Sequence, residues 1–431
     1  MQLSLQVYAS LRVIEPLRRK RVTTMTTCPY SDRLLHLDNF AQGTPREAIA
    51  ALRREHRVVW QEDEHAAGGH WLVLHKADID TVLRDPATFS SSFGPLLEDF
   101  PEALLALQRQ AMTFLDPPEH RSRRALVDYA FRPGVLEARR DMMQAKVTAI
   151  IDNIIDRGEC EFVSEVAMHL PVHVMFTLLG VPEADYAYLV PTINAVTLAN
   201  DPDYAGSREE GWTASAQMVA WAAAFAATRR GQPGNDMTSE LLAAEIDGRS
   251  LSDEEYGVIF QGLMIGGTET TRNTLSWLIR ELIRHPEQLA LLRADPTLIP
   301  AAVEEILRYR NTVVYTRRTA MRDVELAGQH IAQGDKVVCL LASVNRDPDC
   351  FDQPDTFDIT RDPAQTRRAM RTFGFGVHVC PGQHQARLNL EMMTREILAR
   401  MADLKLLEAP THFRSNFMDG FKRMPLEFSK L

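Results

Sequence analysis

The residues best placed to do chemistry form one run near the C-terminus, Phe373-Gly374-Phe375-Gly376-Val377-His378-Val379-Cys380-Pro381-Gly382. Glycine reaches backbone angles closed to other residues, so two glycines before the cysteine and one after it define a tight turn. The next residues, Gln383-His384-Gln385-Ala386-Arg387-Leu388-Asn389-Leu390, read as the start of a helix. A thiol at a helix N-terminus is favoured as the thiolate by the helix dipole and by free amide groups. A thiolate held by such a loop is a metal ligand or a nucleophile. A buried, inert cysteine needs no flanking glycines.

Three further groups stand out. Ser252-Asp253-Glu254-Glu255 is a capping box and predicts a helix that runs to His285, where Pro286 stops it. At 1.5 Å per residue this helix is about 50 Å long, enough to cross a whole domain. Its middle reads Gly266-Gly267-Thr268-Glu269-Thr270-Thr271. Each glycine there weakens the helix by about 1 kcal/mol, and a threonine can bond back to the carbonyl one turn earlier. A kink for close packing and an opened groove for a small ligand are both consistent with this. In Glu304-Glu305-Ile306-Leu307-Arg308, Glu305 and Arg308 share a helix face and can pair. In Asp116-Pro117-Pro118-Glu119-His120-Arg121-Ser122-Arg123-Arg124, His120 and Arg124 also share a face, and the arginine fork suits an oxyanion.

The cysteine run resembles the haem-binding loop of the cytochrome P450 family, Phe-Gly-x-Gly-x-His-x-Cys-x-Gly, with every fixed position present. The resemblance covers about residues 30 to 431 and includes Asn345-Arg346-Asp347-Pro348 and Gln383-His384-x-Ala386-Arg387. It implies non-covalent haem b, with Cys380 as the axial thiolate ligand and Phe373, Gly382 and His378 in the cofactor loop. His120, Arg124, Arg318 and His378 match positions that bind the haem propionates. The mid-helix segment is similar to the family's oxygen-binding stretch. On that match Gly267 borders the cofactor, and Glu269 and Thr270 are the acid and the alcohol that deliver protons to dioxygen. Glu305 and Arg308 match a structural Glu-x-x-Arg pair. The arginine that often completes this network is replaced by Thr356 in Pro354-Asp355-Thr356-Phe357, leaving Arg361 as the stand-in. Pro381 has no N–H to offer the sulfur, which predicts a more electron-rich thiolate.

The resemblance implies a mainly α, cytochrome P450 fold, a large helical domain with a smaller β-rich part. Residues 57–82 and 312–341 read as strand-rich, with Gly328 and Gly334 as turn residues. Most of the rest shows the helical period, stopped at Pro133-Gly134, Gly180-Val181-Pro182 and Pro233-Gly234. Residues 1–24 read as a disordered N-terminal extension, with Met25 an alternative start, and residues 25–431 as one haem-thiolate monooxygenase domain. The basic cluster Arg18-Arg19-Lys20-Arg21 follows no long apolar core, so a secretory signal is not expected.

The chain has 431 residues, 45% hydrophobic and 25% charged, with a formal net charge of -10. That balance is ordinary for a globular protein and argues against a nucleic-acid partner. Five scattered cysteines without a Cys-x-x-Cys fit a reducing compartment, so a cytoplasmic location is expected. Gly211 to Thr228, the longest uncharged stretch, is alanine-rich with interspersed polar residues and reads as a packed helix. No stable membrane anchor is expected.

No flavin or nicotinamide fingerprint is fused to the chain, so electrons must come from outside. The resemblance implies a ferredoxin and a ferredoxin reductase, with Arg121, Arg123, Arg132, Arg139, Arg140, Arg367, Arg368 and Arg371 as candidate docking charges. It places the substrate pocket at residues 90–112, 170–215, Leu263 to Gly267, Val313 to Thr316 and near Phe417 and Met418. These are mostly apolar. The expectation is a monooxygenase that hydroxylates or epoxidises a lipophilic molecule with O2, with a terpenoid or steroid favoured. The alternatives are a peroxide-using haem-thiolate enzyme, which needs no Glu269-Thr270 pair, and a non-catalytic haem sensor or carrier.

Overall fold

The computed structural model describes residues 33–63, 68–197, 199, 201, 207–246 and 248–431. The N-terminal extension, Met25 and Cys28 lie outside the described residues.

Helices dominate, and the longest, Asp253–Arg284, runs through the main core. Its start obeys the sequence. The Ser252 hydroxyl accepts from the Glu255 amide at 3.1 Å, and the Glu255 carboxylate accepts from the Ser252 amide at 2.8 Å. Its end falls at His285, before Pro286 opens the next helix. Around it pack helices His169–Leu179, Arg208–Arg229 and Gln383–Arg400, which bury Phe176, Met218, Leu390 and Met393 in one apolar cluster. Gly180 takes the left-handed conformation that ends the first of these. Pro133 opens the short helix Pro133–Glu137 instead of stopping one, since its fixed φ suits a first helical turn.

The β part is a five-stranded sheet plus smaller pieces. Across the sheet the strands run Val58–Gln61, His70–Val73, Lys336–Cys339, Thr316–Ala320 and Phe89–Ser90. Thus both strand-rich stretches join one sheet, through the parallel pairing of Val337 with Trp71. Residues 76–82 are not strand. Lys76–Arg84 is a helix that buries Ile79, Val82 and Leu83, a spacing of three and four. Gly328 and Gly334 turn with φ of 78° and 89°. Among the described residues no helix is long and apolar enough to cross a membrane.

Candidate active site

The cysteine loop joins the short helix Pro363–Ala369 to the long helix Gln383–Arg400. Gly374 and Gly376 both have φ of 71°, where a side chain is strained, and a Cβ on Gly376 would stand 2.3 Å from the Leu83 carbonyl. The loop therefore needs both glycines, and the second lets it lie against the helix Lys76–Arg84. Gly382 is different. Its φ is -80° and its Cβ would sit 4.0 Å from the Cys380 sulfur, so no backbone strain calls for glycine there. The Cys380 amide closes the loop on the Phe373 carbonyl at 2.9 Å.

Burial pushes the Cys380 thiol up, opposed by the Gly382 amide and by the charges of Arg124 and Arg387. The expected helix-dipole effect is thus outweighed by desolvation, and a coordinated cation is what would deprotonate this sulfur. The Gly382 N–H also changes the reading of Pro381: the donor missing at 381 is supplied one residue later.

The loop is fastened from outside by guanidinium groups. Arg124 donates to the Val379 carbonyl at 2.7 Å. Arg387 lies over the Phe373 ring at 4.6 Å and pairs with buried Glu304 at 2.6 Å. Arg371 and Arg84 cover Phe375 at 4.2 and 4.6 Å, and Arg371 forms a two-point pair with Asp80. Glu304 and Asp80 escaped the sequence reading. A second acid beside Glu305 on a buried helix face was the available signal for Glu304.

Four candidate anion-binding residues converge beside the loop. The rings of His120 and His378 stand 4.2 Å apart, and the Arg318 charge acts on both. His378 is engaged by the protein: Nε2 shares a hydrogen bond with Ser91 Oγ at 3.0 Å, and the ring also bonds the Leu115 carbonyl. Both ring nitrogens of His120 are buried and without a partner. Burial lowers the basicity of each imidazole, to about 2 for His378. Arg318 is buried on the sheet, donates only to Thr316 Oγ1 and the Arg317 carbonyl, and has no carboxylate in pairing range among the described residues. Buried cationic and donor groups without an anion are a site for one.

The central helix packs against Gln383–Arg400, the helix that follows the loop. It is unbroken at Gly266-Gly267, so no groove opens in its backbone. Thr270 Oγ1 donates to the Gly266 carbonyl at 2.8 Å. Gly267 serves packing, since a Cβ there would meet Met175 Sδ at 2.6 Å. Gly266 borders open space. Glu269 is 1% exposed and ion-paired with Arg272, one turn on. Burial raises its carboxyl pKa and Arg272 opposes the rise. The two members of the expected relay therefore part company. Thr270 lines the open strip, and Glu269 is held in the interior, because adjacent helix positions point about 100° apart.

Other expectations meet particular geometry. Arg308 grips Glu305 at two points, both 2.7 Å, with both side chains buried. Arg361 joins them, Nε 3.4 Å from Glu305 Oε1, and also donates to the carbonyls of Asp352 and Gln353. Among the candidate docking arginines, Arg123 is tied to Glu255 and Arg371 to Asp80, so neither belongs to a free surface. Arg121, Arg132, Arg140, Arg367 and Arg368 are exposed, but Arg140 is paired with Glu137 and Arg367 with Glu304. Val313 bridges Met418, and Tyr315 meets the Phe417 ring edge-on, which brings two expected pocket segments together.

A family model for cytochrome P450 matches residues 218–402. Cytochrome P450 126 of Mycobacterium tuberculosis is 35% identical over 413 residues, covering 91% of this chain and 96% of its own. A methyl-branched lipid omega-hydroxylase of the same organism is 36% identical over 393 residues, covering 89% and 90%. A Mycobacterium marinum cytochrome P450 solved in complex with pseudoionone superposes with a TM-score of 0.86 at 34% identity, covering 95% of this chain and 100% of that one. The chain belongs to the cytochrome P450 family, and its fold is the P450 fold. It is a haem b monooxygenase of the bacterial type.

Proposed function

We propose that the chain inserts one oxygen atom into a C–H or C=C bond of a terpenoid or steroid-like lipophilic molecule, drawing electrons from a ferredoxin and its reductase in the cytoplasm. The observation that carries this reading is Cys380 in its glycine turn, fastened by Arg124, with the His120–His378 pair beside Arg318 and both His120 ring nitrogens buried without a partner. These residues fit haem: a sulfur held by a glycine turn for the iron, and Arg124, Arg318 and the unpartnered His120 ring for its carboxylates. Bound there, haem supplies the iron at which O2 is reduced with two electrons and two protons to give product and water.

The protein's own residues then have distinct tasks. Cys380 ligates the metal, and Gly382 N–H and Arg387 moderate the charge on its sulfur. Phe373, pressed by Arg387, stiffens the loop. His120, Arg124 and Arg318 hold the carboxylates, and His378, turned by Ser91, braces His120. The Thr270 proton is committed to the Gly266 carbonyl, so its lone pairs are what it offers the chamber. It can position a water there and pass a proton on when that bond swings. Glu269 is held by Arg272 away from this strip, and Gly267 lets the helix pack closely enough to keep the strip in place.

The lipophilic substrate is supported by the apolar lining and by two relatives, one named for methyl-branched lipids and one holding pseudoionone. The exposed arginines Arg121, Arg132 and Arg368 suit an acidic ferredoxin. Turnover of terpenoid and steroid candidates with ferredoxin and reductase, against peroxide alone, tests the reading. Product only with peroxide contradicts it. An apparent ferredoxin affinity that does not fall with salt contradicts the docking surface.

A further inference from the structure

The five-stranded sheet carries a buried polar row, separate from the residues around Cys380. Val337 stands opposite Trp71 in the parallel pairing, so Lys336 and His70 are the next neighbours along it, and Gln61 pairs with His70 on the other side. Side chains alternate along a strand. Gln61, His70 and Lys336 therefore share the face that carries Val59, Leu72 and Val338, and Arg317, which pairs with Val338, joins them. All four are buried, with Gln61 and His70 each 1% exposed. The segment above is pinned to the row. Lys336 donates to the Leu97 carbonyl at 3.0 Å, and Lys336 and Arg317 each reach Asp99 at 2.8 Å.

The row is short of acceptors. Among the described residues neither ring nitrogen of His70 has a partner, nor has Nε2 of Gln61 or Nε of Arg317. The Gln61 side-chain oxygen is already spent on the Leu34 amide at 2.7 Å. Burial lowers His70 to about 3, so the ring is neutral and supplies one N–H and one lone pair. The charges that act on this ring, Lys336 and Arg317, are both positive. Burial also pulls Lys336 down, to about 8, which leaves it mostly charged at neutral pH. Buried donors without acceptors are costly, and in a positive field the acceptor that relieves them is an anion. The donors stand side by side on one sheet face, about 5 Å apart from strand to strand. That suits the two oxygens of a planar carboxylate better than a tetrahedral oxyanion, which needs donors all round.

We propose that Gln61, His70 and Lys336 form a binding site for a carboxylate, carried by the non-reacting end of a lipophilic substrate or by a free small acid. The substrate source rests on the lipophilic reading above. Leu97, Tyr315, Val338 and Phe417 pack in one apolar cluster on this sheet face, beside the row, where the apolar body of such a substrate has a surface to meet. The test uses the haem-loaded full chain at neutral pH with a terpenoid acid, its matching alcohol, and acetate. Spectral titration reads the first two, and the melting temperature reads acetate. Native protein should bind the acid more tightly than the alcohol. His70→Phe removes two buried atoms that lack partners and should fold at least as well. It should weaken the acid by about 10- to 150-fold, the range of a hydrogen bond to a charged group, and leave the alcohol unchanged. Lys336→Gln, which keeps a donor for the Leu97 carbonyl, should do the same, so the proposal is tested even if one variant fails to fold. If acid and alcohol bind equally while acetate raises the melting temperature of native protein and not of His70→Phe, the carboxylate is that of a free small acid. Equal binding with no acetate effect overturns the site and leaves the lipophilic reading standing. A native protein that binds neither acid nor alcohol overturns the lipophilic reading, and the acetate response alone then upholds or overturns the site.

Discussion

On the Cys380 side, position is enforced. Two glycines hold angles no other residue takes readily, and Arg124, Arg371 and Arg387 fasten the loop through a carbonyl, two aromatic rings and the buried acids Asp80 and Glu304. On the Thr270 side, position is left open. The helix passes through its glycines unbroken, and two of those glycines face space where side chains would fit. One face must hold a metal at a fixed point, so it is built from directional bonds that over-determine it. The other must admit a molecule, so it is built by leaving atoms out.

Substitutions on the enforced side should cost most. Cys380→Ser removes the sulfur, and turnover should fall to background; measurable product at more than a trace would break the comparison at its root. Next is Arg308→Ala, which takes the two-point partner from the buried Glu305 carboxylate. Breaking such a pair costs about 3–5 kcal/mol, to be read by chemical denaturation and by haem retention. A loss under 1 kcal/mol would mean this network is no anchor.

On the open side the fold should survive while chemistry changes. Thr270→Ala should keep oxygen consumption and divert it to hydrogen peroxide. Full coupling of electrons to product would remove Thr270 from proton handling. Glu269 offers a pH test. Its carboxyl, raised above the ordinary 4.5 by burial, keeps its proton in the folded chain where the unfolded chain has lost it. The stability this contributes is complete below the ordinary value and is lost as pH rises through the raised one. Glu269→Gln abolishes that slope whatever its fixed cost, so denaturation across this window should find the variant gaining on native protein as pH rises. A parallel pH dependence would contradict the buried placement. The smallest effect belongs to Arg361→Ala, about 1 kcal/mol for a partly exposed third partner.

The enforced side was also the more legible one. Positive-φ glycines ahead of a cysteine leave a fixed spacing in the sequence, and Gln383 onward is a helix as expected. Arg361 was legible only by elimination, because its contacts with Asp352, Gln353 and Glu305 are tertiary. Glu269-Arg272 has the same three-residue spacing as Glu305-Arg308, yet resemblance drew attention to Thr270, whose side chain leaves a different face of the helix. Arg123 and Arg371 read as surface charges because nothing local reveals Glu255 or Asp80 beside them. The two open glycines could not be told from Gly257 and Gly267 by sequence, since all four carry the same helix penalty and only tertiary neighbours separate them.

The absorption spectrum of the reduced, carbon-monoxide-bound protein tests the central claim most directly. With Cys380 as the metal ligand, the main band stands at the red-shifted position of thiolate-ligated haem, and Cys380→Ser loses it. A native band at the position of histidine-ligated haem would contradict the account.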